Sequence, residues 1–130
     1  MKILLADPHP EVQSALHLII DRISEVTEVS EAGNLIQLLG QCAQSCPDLI
    51  LFDLDLVYPS RAHLLPHTQP LADLISVLHR LCPCARVVVM SSRFEGKQEA
   101  FTAGASGFIS KTDPPDTVLS GIVRFLENHP

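Results

Sequence analysis

Short unbroken apolar runs alternate along the chain with stretches whose apolar residues recur every three or four positions. The short runs predict strands buried on both faces, and the longer period predicts amphipathic helices. The first run, Ile3-Leu4-Leu5-Ala6, ends in Asp7, and Pro8-His9-Pro10 turns the chain. A helix is expected over 10–21, with Val12, Leu16, Ile19 and Ile23 on its buried stripe and Pro10 in a first turn that tolerates it. Charged residues alternate with Val26 and Val29 over 25–30, which predicts a weaker strand at a sheet edge. Gly33-Asn34 opens a second helix, with Leu35, Leu38, Leu39 and Cys42 facing inward, and it closes before Pro47. Pro47-Asp48 introduces the most apolar run, Leu49-Ile50-Leu51-Phe52, which ends in Asp53 and Asp55. Residues 56–70 contain Pro59, Pro66 and Pro70 with no clean period, so a long loop is expected, of the kind that serves as a lid or stays disordered. Leu71, Leu74, Ile75, Leu78 and Leu81 restore a helix. A strand over 86–90 ends in Ser91-Ser92, and the polar stretch 93–103 supports only a short helix. Residues 107–110 form a last strand that delivers Lys111. Asp113-Pro114-Pro115 starts the final helix, whose stripe is Val118, Leu119, Ile122 and Leu126.

Five strands alternating with five helices build parallel βαβ units and a doubly wound sheet with helices on both faces. At 130 residues the chain has the size of one domain. Hydrophobic content of 46% with 18% charged residues is that of an ordinary globule. No window of eighteen apolar residues exists to span a membrane. An acid and a proline follow Met1 too soon for a signal peptide, so a cytoplasmic location is expected. A formal charge of −6 with scattered basic residues argues against nucleic-acid binding by this chain itself.

Cysteine and histidine add two weaker readings. Cys42 and Cys46 lie one helical turn apart and Cys82-Pro83-Cys84 is a tight pair, so meeting at the amino edge of the sheet they would suit zinc. The alternative is that they are small buried hydrophobes. His63 and His67 have helical spacing, but Pro66 opposes a helix that holds both, and solvated loop histidines are the simpler reading.

The stronger pattern lies at the carboxyl edge, where parallel strands bring their last residues together. Asp7, Asp53 with Asp55, Ser91 and Lys111 all end strands. Carboxylates, a hydroxyl and a lysine suit a divalent cation together with a phosphoryl group. Asp53 is then a candidate nucleophile that forms an aspartyl phosphate. Taken singly, each has a plainer reading: Asp53 or Ser91 as a helix cap, Lys111 as a solvated lysine, Phe108 as core.

The segments ILLADPHPEV, PDLILFDLDL, VVVMSS, AGASGFISK and DPPDTVLSGI resemble, in order and over nearly the whole chain, the receiver domain of bacterial two-component response regulators. ADPHP and SKTDPP are similar to receivers that precede helix-turn-helix (LuxR-type) DNA-binding domains. The resemblance implies a flavodoxin-like (CheY-like) five-stranded parallel sheet in the order 2-1-3-4-5, spanning 1–130. It implies that Asp53 accepts a phosphoryl group from a sensor histidine kinase or phosphotransfer protein, with Mg2+ held by Asp7, Asp53 and the backbone carbonyl of Asp55. Lys111 would pair with the phosphate, Ser91 would move toward it, and Phe108 would turn inward as a rotamer switch. The face made by the fourth helix, fifth strand and fifth helix would then bind a partner or a second copy.

Three features depart from that family. Pro8 stands where a second acid is usual, so a weaker magnesium site is expected unless the Asp55 carboxylate compensates. About eight extra residues separate Asp53 from Ser91, and the loop over 56–70 leaves the same edge as the site. The segment from Ser91 to Lys111 is about two residues short, so a curtailed fourth helix is expected. A phosphate-independent pseudo-receiver, acting as an interaction module, is the alternative. FDLDLV also resembles the first motif of haloacid-dehalogenase-type phosphatases, with Asp53 attacking and Asp55 as acid/base. Any DNA-binding output is expected on a further segment, on a separate protein, or not at all.

Overall fold

In the computed structural model, which describes residues 1–58, 70–93 and 95–127, strands and helices alternate from end to end. The strands are β1 (Lys2–Ala6), β2 (Glu28–Ala32), β3 (Leu49–Asp53), β4 (Arg86–Ser91) and β5 (Gly107–Ser110). The helices are α1 (Pro10–Ile20), α2 (Leu35–Gln44), α3 (Pro70–Leu81), α4 (Gly96–Thr102) and α5 (Pro115–Glu127). All strand pairs are parallel, and their order is β2-β1-β3-β4-β5. The parallel sheet is the one the alternation predicts, and its order is the one the family resemblance implies.

Strand periodicity sorts the core into two layers. Leu4, Ala6, Ile50, Phe52, Val87 and Val89 face the layer that α2, α3 and α4 complete with Leu38, Leu78 and Ala100. Ile3, Leu5, Leu49, Leu51, Val88 and Met90 face the layer that α1 and α5 complete with Leu16, Ile20 and Ile122. Every residue of β3 is buried, and each large aliphatic side chain fully removed from water contributes about 1.5–3 kcal/mol. The Pro47-Asp48 turn fixes where this strand starts. Asp48 N donates to Lys2 O at 2.8 Å, its carboxylate accepts from Lys2 N at 2.8 Å, and its carbonyl accepts from Arg86 N at 3.0 Å. One residue therefore registers three strands.

Several boundaries differ from the sequence expectation. The edge strand lies at Glu28–Ala32 rather than 25–30, because β1 pairs Lys2 with Glu28 and Ala6 with Ala32. Val26 and Thr27 sit in the approach to it, bonded to Ile23 O and Met1 O. On α1 the deepest residue is Ile20, with Ile19 only partly buried. Leu81 is 38% exposed, since α3 is ending where it projects. Leu54–Leu56 winds into a 3-10 turn instead of opening a loop, and Pro70 already belongs to α3. The fourth helix is short, at seven residues, as expected. His63, His67 and the stretch 59–69 lie outside the described residues.

Two glycines have steric roles. Gly104 follows α4 at φ +100°, a left-handed conformation that costs other residues energy. Gly107 leaves bare backbone on which the ring of Phe125 from α5 rests, and an added Cβ would overlap that ring. Gly107→Ala is therefore expected to lower stability by about 1–3 kcal/mol through overpacking. Urea unfolding of the two proteins measures this, and an unchanged midpoint would show that the ring moves aside freely.

Candidate functional site

The carboxyl edge gathers side chains from three strands. Asp7 follows β1, and its N–H donates to Ala32 O at 3.0 Å, continuing the ladder with β2. Its Oδ1 accepts from His9 N at 2.8 Å, an Asx turn that leads Pro8 and His9 into α1. Asp53 closes β3 opposite Met90. Its Oδ1 accepts from Asp55 N at 2.7 Å, capping the 3-10 turn. Both carboxylates are almost completely buried, at 1% and 2% exposure.

Lys111 joins them. Its backbone N–H donates to Ser91 O at 3.0 Å just beyond β5, which fixes the direction of its side chain. Its Nζ donates to Asp7 Oδ2 at 2.6 Å and also to Asp53 Oδ2. Burial favours the neutral amine, but the two carboxylates outweigh it and hold the Lys111 pKa above that of an ordinary lysine. Burial pushes the Asp53 carboxyl above its ordinary range, although Lys111 and the Asp55 N–H pull the other way.

A second set of donors overlaps this one. His9 Nε2 lies 3.4 Å from Asp55 Oδ2, at the rim of the pocket. His9, Asp53 and Asp55 each offer a ligand atom within 4.8 Å of the others. Asp7 is outside that set, and its oxygens accept from His9 N and Lys111 Nζ. The cysteines form no comparable set among the described residues.

No protein-family model matches the chain. It is 34% identical over 134 residues to the glycerol metabolism activator of Pseudomonas putida, covering 98% of this chain and 55% of that protein. It is 29% identical over 122 residues to the nitrate/nitrite response regulator protein NarL of Escherichia coli, covering 92% of this chain and 52% of that one. The chain thus spans about half the length of the curated relatives it matches. Among solved structures, a LuxR family DNA-binding response regulator from Silicibacter pomeroyi superposes with a TM-score of 0.76 at 24% identity, covering 99% of this chain and 93% of that one. The isolated receiver domain of RcsB from Salmonella enterica serovar Typhimurium, with phosphomimetic BeF3-, gives 0.79 at 17% identity, covering 98% and 89%. The chain belongs to the response-regulator receiver family.

In this receiver the remaining predicted residues, Ser91 and Phe108, pack around the start of α4. Ser91 follows the Met90 that pairs with Asp53, and its Oγ accepts from Arg93 N at 3.0 Å. Phe108 is half-buried against the α2–α3–α4 layer. Gly96, the first residue of α4, lies between the two: a Cβ there would meet Ser91 Cβ at 2.9 Å and Phe108 Cε2 at 3.3 Å. The start of α4 is thus packed directly on Ser91 and Phe108, with no space for a side chain. Pro8 is exposed and offers no donor. His9 is the site residue that sequence reasoning passed over, its only signal being a position two residues after Asp7 in a turn held by Pro8 and Pro10.

Removing the ammonium leaves two buried carboxylates facing each other. Lys111→Met is expected to lower stability at neutral pH by about 3 kcal/mol, with the deficit shrinking in acid as the carboxylates protonate. In the wild type, the raised lysine pKa makes its contribution complete below the unfolded value of 10.5 and lost as pH rises through the folded value. Urea midpoints measured from pH 4 to 11 for both proteins check both signs. A constant difference across that range would contradict the ion-pair account.

Proposed function

We propose that this receiver, spanning 1–130, accepts a phosphoryl group on Asp53 from a sensor histidine kinase or a phosphotransfer protein. The observation that supports it best is the Lys111 ammonium held between the buried Asp7 and Asp53 carboxylates at the sheet's carboxyl edge. An Asp53 oxygen attacks phosphorus while the donor's bond to the phosphoryl group breaks, and the leaving group departs with that electron pair. The phosphoryl group then brings acceptor oxygens and about two negative charges into the pocket. Lys111 transfers its hydrogen bond from Asp53 Oδ2 to one phosphoryl oxygen. Ser91 uses its Oγ lone pair on Arg93 N, so its own proton is available to another. Ser91 is packed on Gly96 and Gly96 on Phe108, so motion of Ser91 is passed to α4 and to the aromatic ring.

The donor set fits a divalent cation, with the Asp53 and Asp55 carboxylates and the His9 imidazole near enough to share one ion. Bound there, it would neutralise charge on the transferring group. Asp55 takes the place of the acid missing at Pro8, and Asp7 serves Lys111. The imidazole extends the range of ions beyond Mg2+ toward Mn2+. Asp55→Ala is expected to weaken Mg2+ and Mn2+ by about tenfold or more, and His9→Ala to weaken Mn2+ more than Mg2+. Titration of each variant measures this, and unchanged affinities would remove both residues from the site.

The Silicibacter pomeroyi protein is described as DNA-binding and NarL as a response regulator. By analogy this receiver controls a DNA-binding output carried elsewhere, pairing with a second copy through the face of α4, β5 and α5 in the cytoplasm. Pro8 favours one second reading, a receiver that works as an interaction module without phosphate. The phosphatase reading is set aside, because Asp53 ends the third strand of the chain and the centre of the sheet rather than opening the fold.

Intact-mass measurement after incubation with acetyl phosphate and Mg2+ or Mn2+ separates the first two readings. The wild type is expected to gain one phosphoryl mass and Asp53→Asn none. An unmodified wild type at saturating cation would establish the phosphate-independent reading.

A further inference from the structure

The opposite edge of the sheet carries a second reactive group that phosphoryl chemistry does not use. α2 ends at Gln44 with Ser45 as its cap, and Cys46 follows, exposed. α3 ends at Leu81, and Cys82 follows, buried, with its N–H bonded to Leu78 O at 2.8 Å. The two sulfurs lie 2.6 Å apart. That is about half an ångström longer than a disulfide bond, whose length is about 2.05 Å. Cys46 Sγ also lies 3.3 Å from Leu81 O, and Cys82 Sγ lies 3.4 Å from Cys42 O. Both sulfurs are therefore held in place by backbone on either side.

We propose that Cys46 and Cys82 are a disulfide-forming pair that closes under a hydroperoxide and ties the end of α2 to the end of α3. The chemistry divides between an accessible and a shielded sulfur. Cys46 meets solvent and reacts first: its sulfur attacks the peroxide O–O bond, giving a sulfenic acid and releasing the other oxygen as water or alcohol. The Cys82 sulfur then attacks the Cys46 sulfur, the S–O bond breaks, and hydroxide leaves with the Cys82 proton as water. The peroxide is reduced by two electrons and the two thiols are oxidised to one disulfide. Burial, with the neighbouring thiols, pushes Cys82 up to about 12, which keeps it from reacting with oxidant by itself. Fixed contact with Cys46 offsets that low reactivity in the second step.

Cys42 is buried beside the pair with its thiol against Cys82, and burial raises its pKa above that of an ordinary thiol. Cys84 is exposed two residues beyond Cys82 and past Pro83. The cross-link would close a loop that contains all of β3 with its Asp53, while leaving the pocket's own groups untouched.

The test is to treat the reduced protein with hydrogen peroxide and measure intact mass, cysteine connectivity and thermal unfolding. The expected result is a loss of two hydrogen masses, a Cys46–Cys82 linked peptide, and a melting temperature about 5–15 °C above that of the reduced form. Cys46→Ser and Cys82→Ser should each lose the cross-link and the shift, while Cys84→Ser keeps both. Sulfinic acid on Cys46 without a cross-link, a bond from Cys46 to Cys84, or a bond between two molecules would overturn the proposal. So would stoichiometric zinc that shields all four thiols. Acetyl phosphate labelling of Asp53, run in parallel, reports on the proposed function separately.

Discussion

The Lys111 ammonium lodged between Asp7 and Asp53 is the constraint on which the rest of the structure depends. Two carboxylates this deeply buried would repel each other and lose hydration, and neither cost is tolerable without a cation in contact. The cation must come from a third strand, so β1, β3 and β5 have to end at one level. The parallel register achieves this, and the Asp48 clamp at the far edge sets where the central strands begin. Even so, the balance is incomplete. With the carboxylates ionised, Asp7, Asp53 and Asp55 bring three negative charges against one on Lys111. Phosphorylation of Asp53 would add about one more, because the carboxylate charge is lost as the phosphoryl group's two arrive. The His9–Asp53–Asp55 set is the natural place for the missing positive charge.

The pocket is linked to the protein surface through packing. Gly96 begins α4 in contact with both Ser91 and Phe108, where a methyl group would not fit. Ser91, Gly96 and Phe108 are close-packed neighbours, the arrangement through which protein interiors transmit strain. The amino edge works on other principles. There the thiols of Cys46 and Cys82 join two helix ends, and no ionised group of the pocket takes part.

Most of the fold was legible because burial writes itself into the strands. The unbroken run in β3 and the residues at the ends of β1, β3 and β5 required only periodicity and parallel topology to be brought together. What was not legible depended on particular side-chain and backbone hydrogen bonds, some local and some between distant residues. The edge strand shifted because its register is set by β1 and not by its own alternation. The 3-10 turn after β3 exists because the Asp53 side chain caps it, a bond that composition does not reveal. His9 was passed over because nothing near it in sequence announces that Asp55 will lie 3.4 Å away. Nor did the spacing of the cysteines show that Cys46 would touch Cys82 while Cys84 stood apart.

The most direct test of the pocket is fluorine NMR of the protein with beryllofluoride and Mg2+ or Mn2+. Beryllofluoride is the phosphoryl mimic found with the related Salmonella receiver. If Lys111 and its two aspartates frame a phosphoryl site, bound fluorine resonances appear on the wild type and vanish in Asp53→Asn. Only free beryllofluoride at saturating cation would contradict that account.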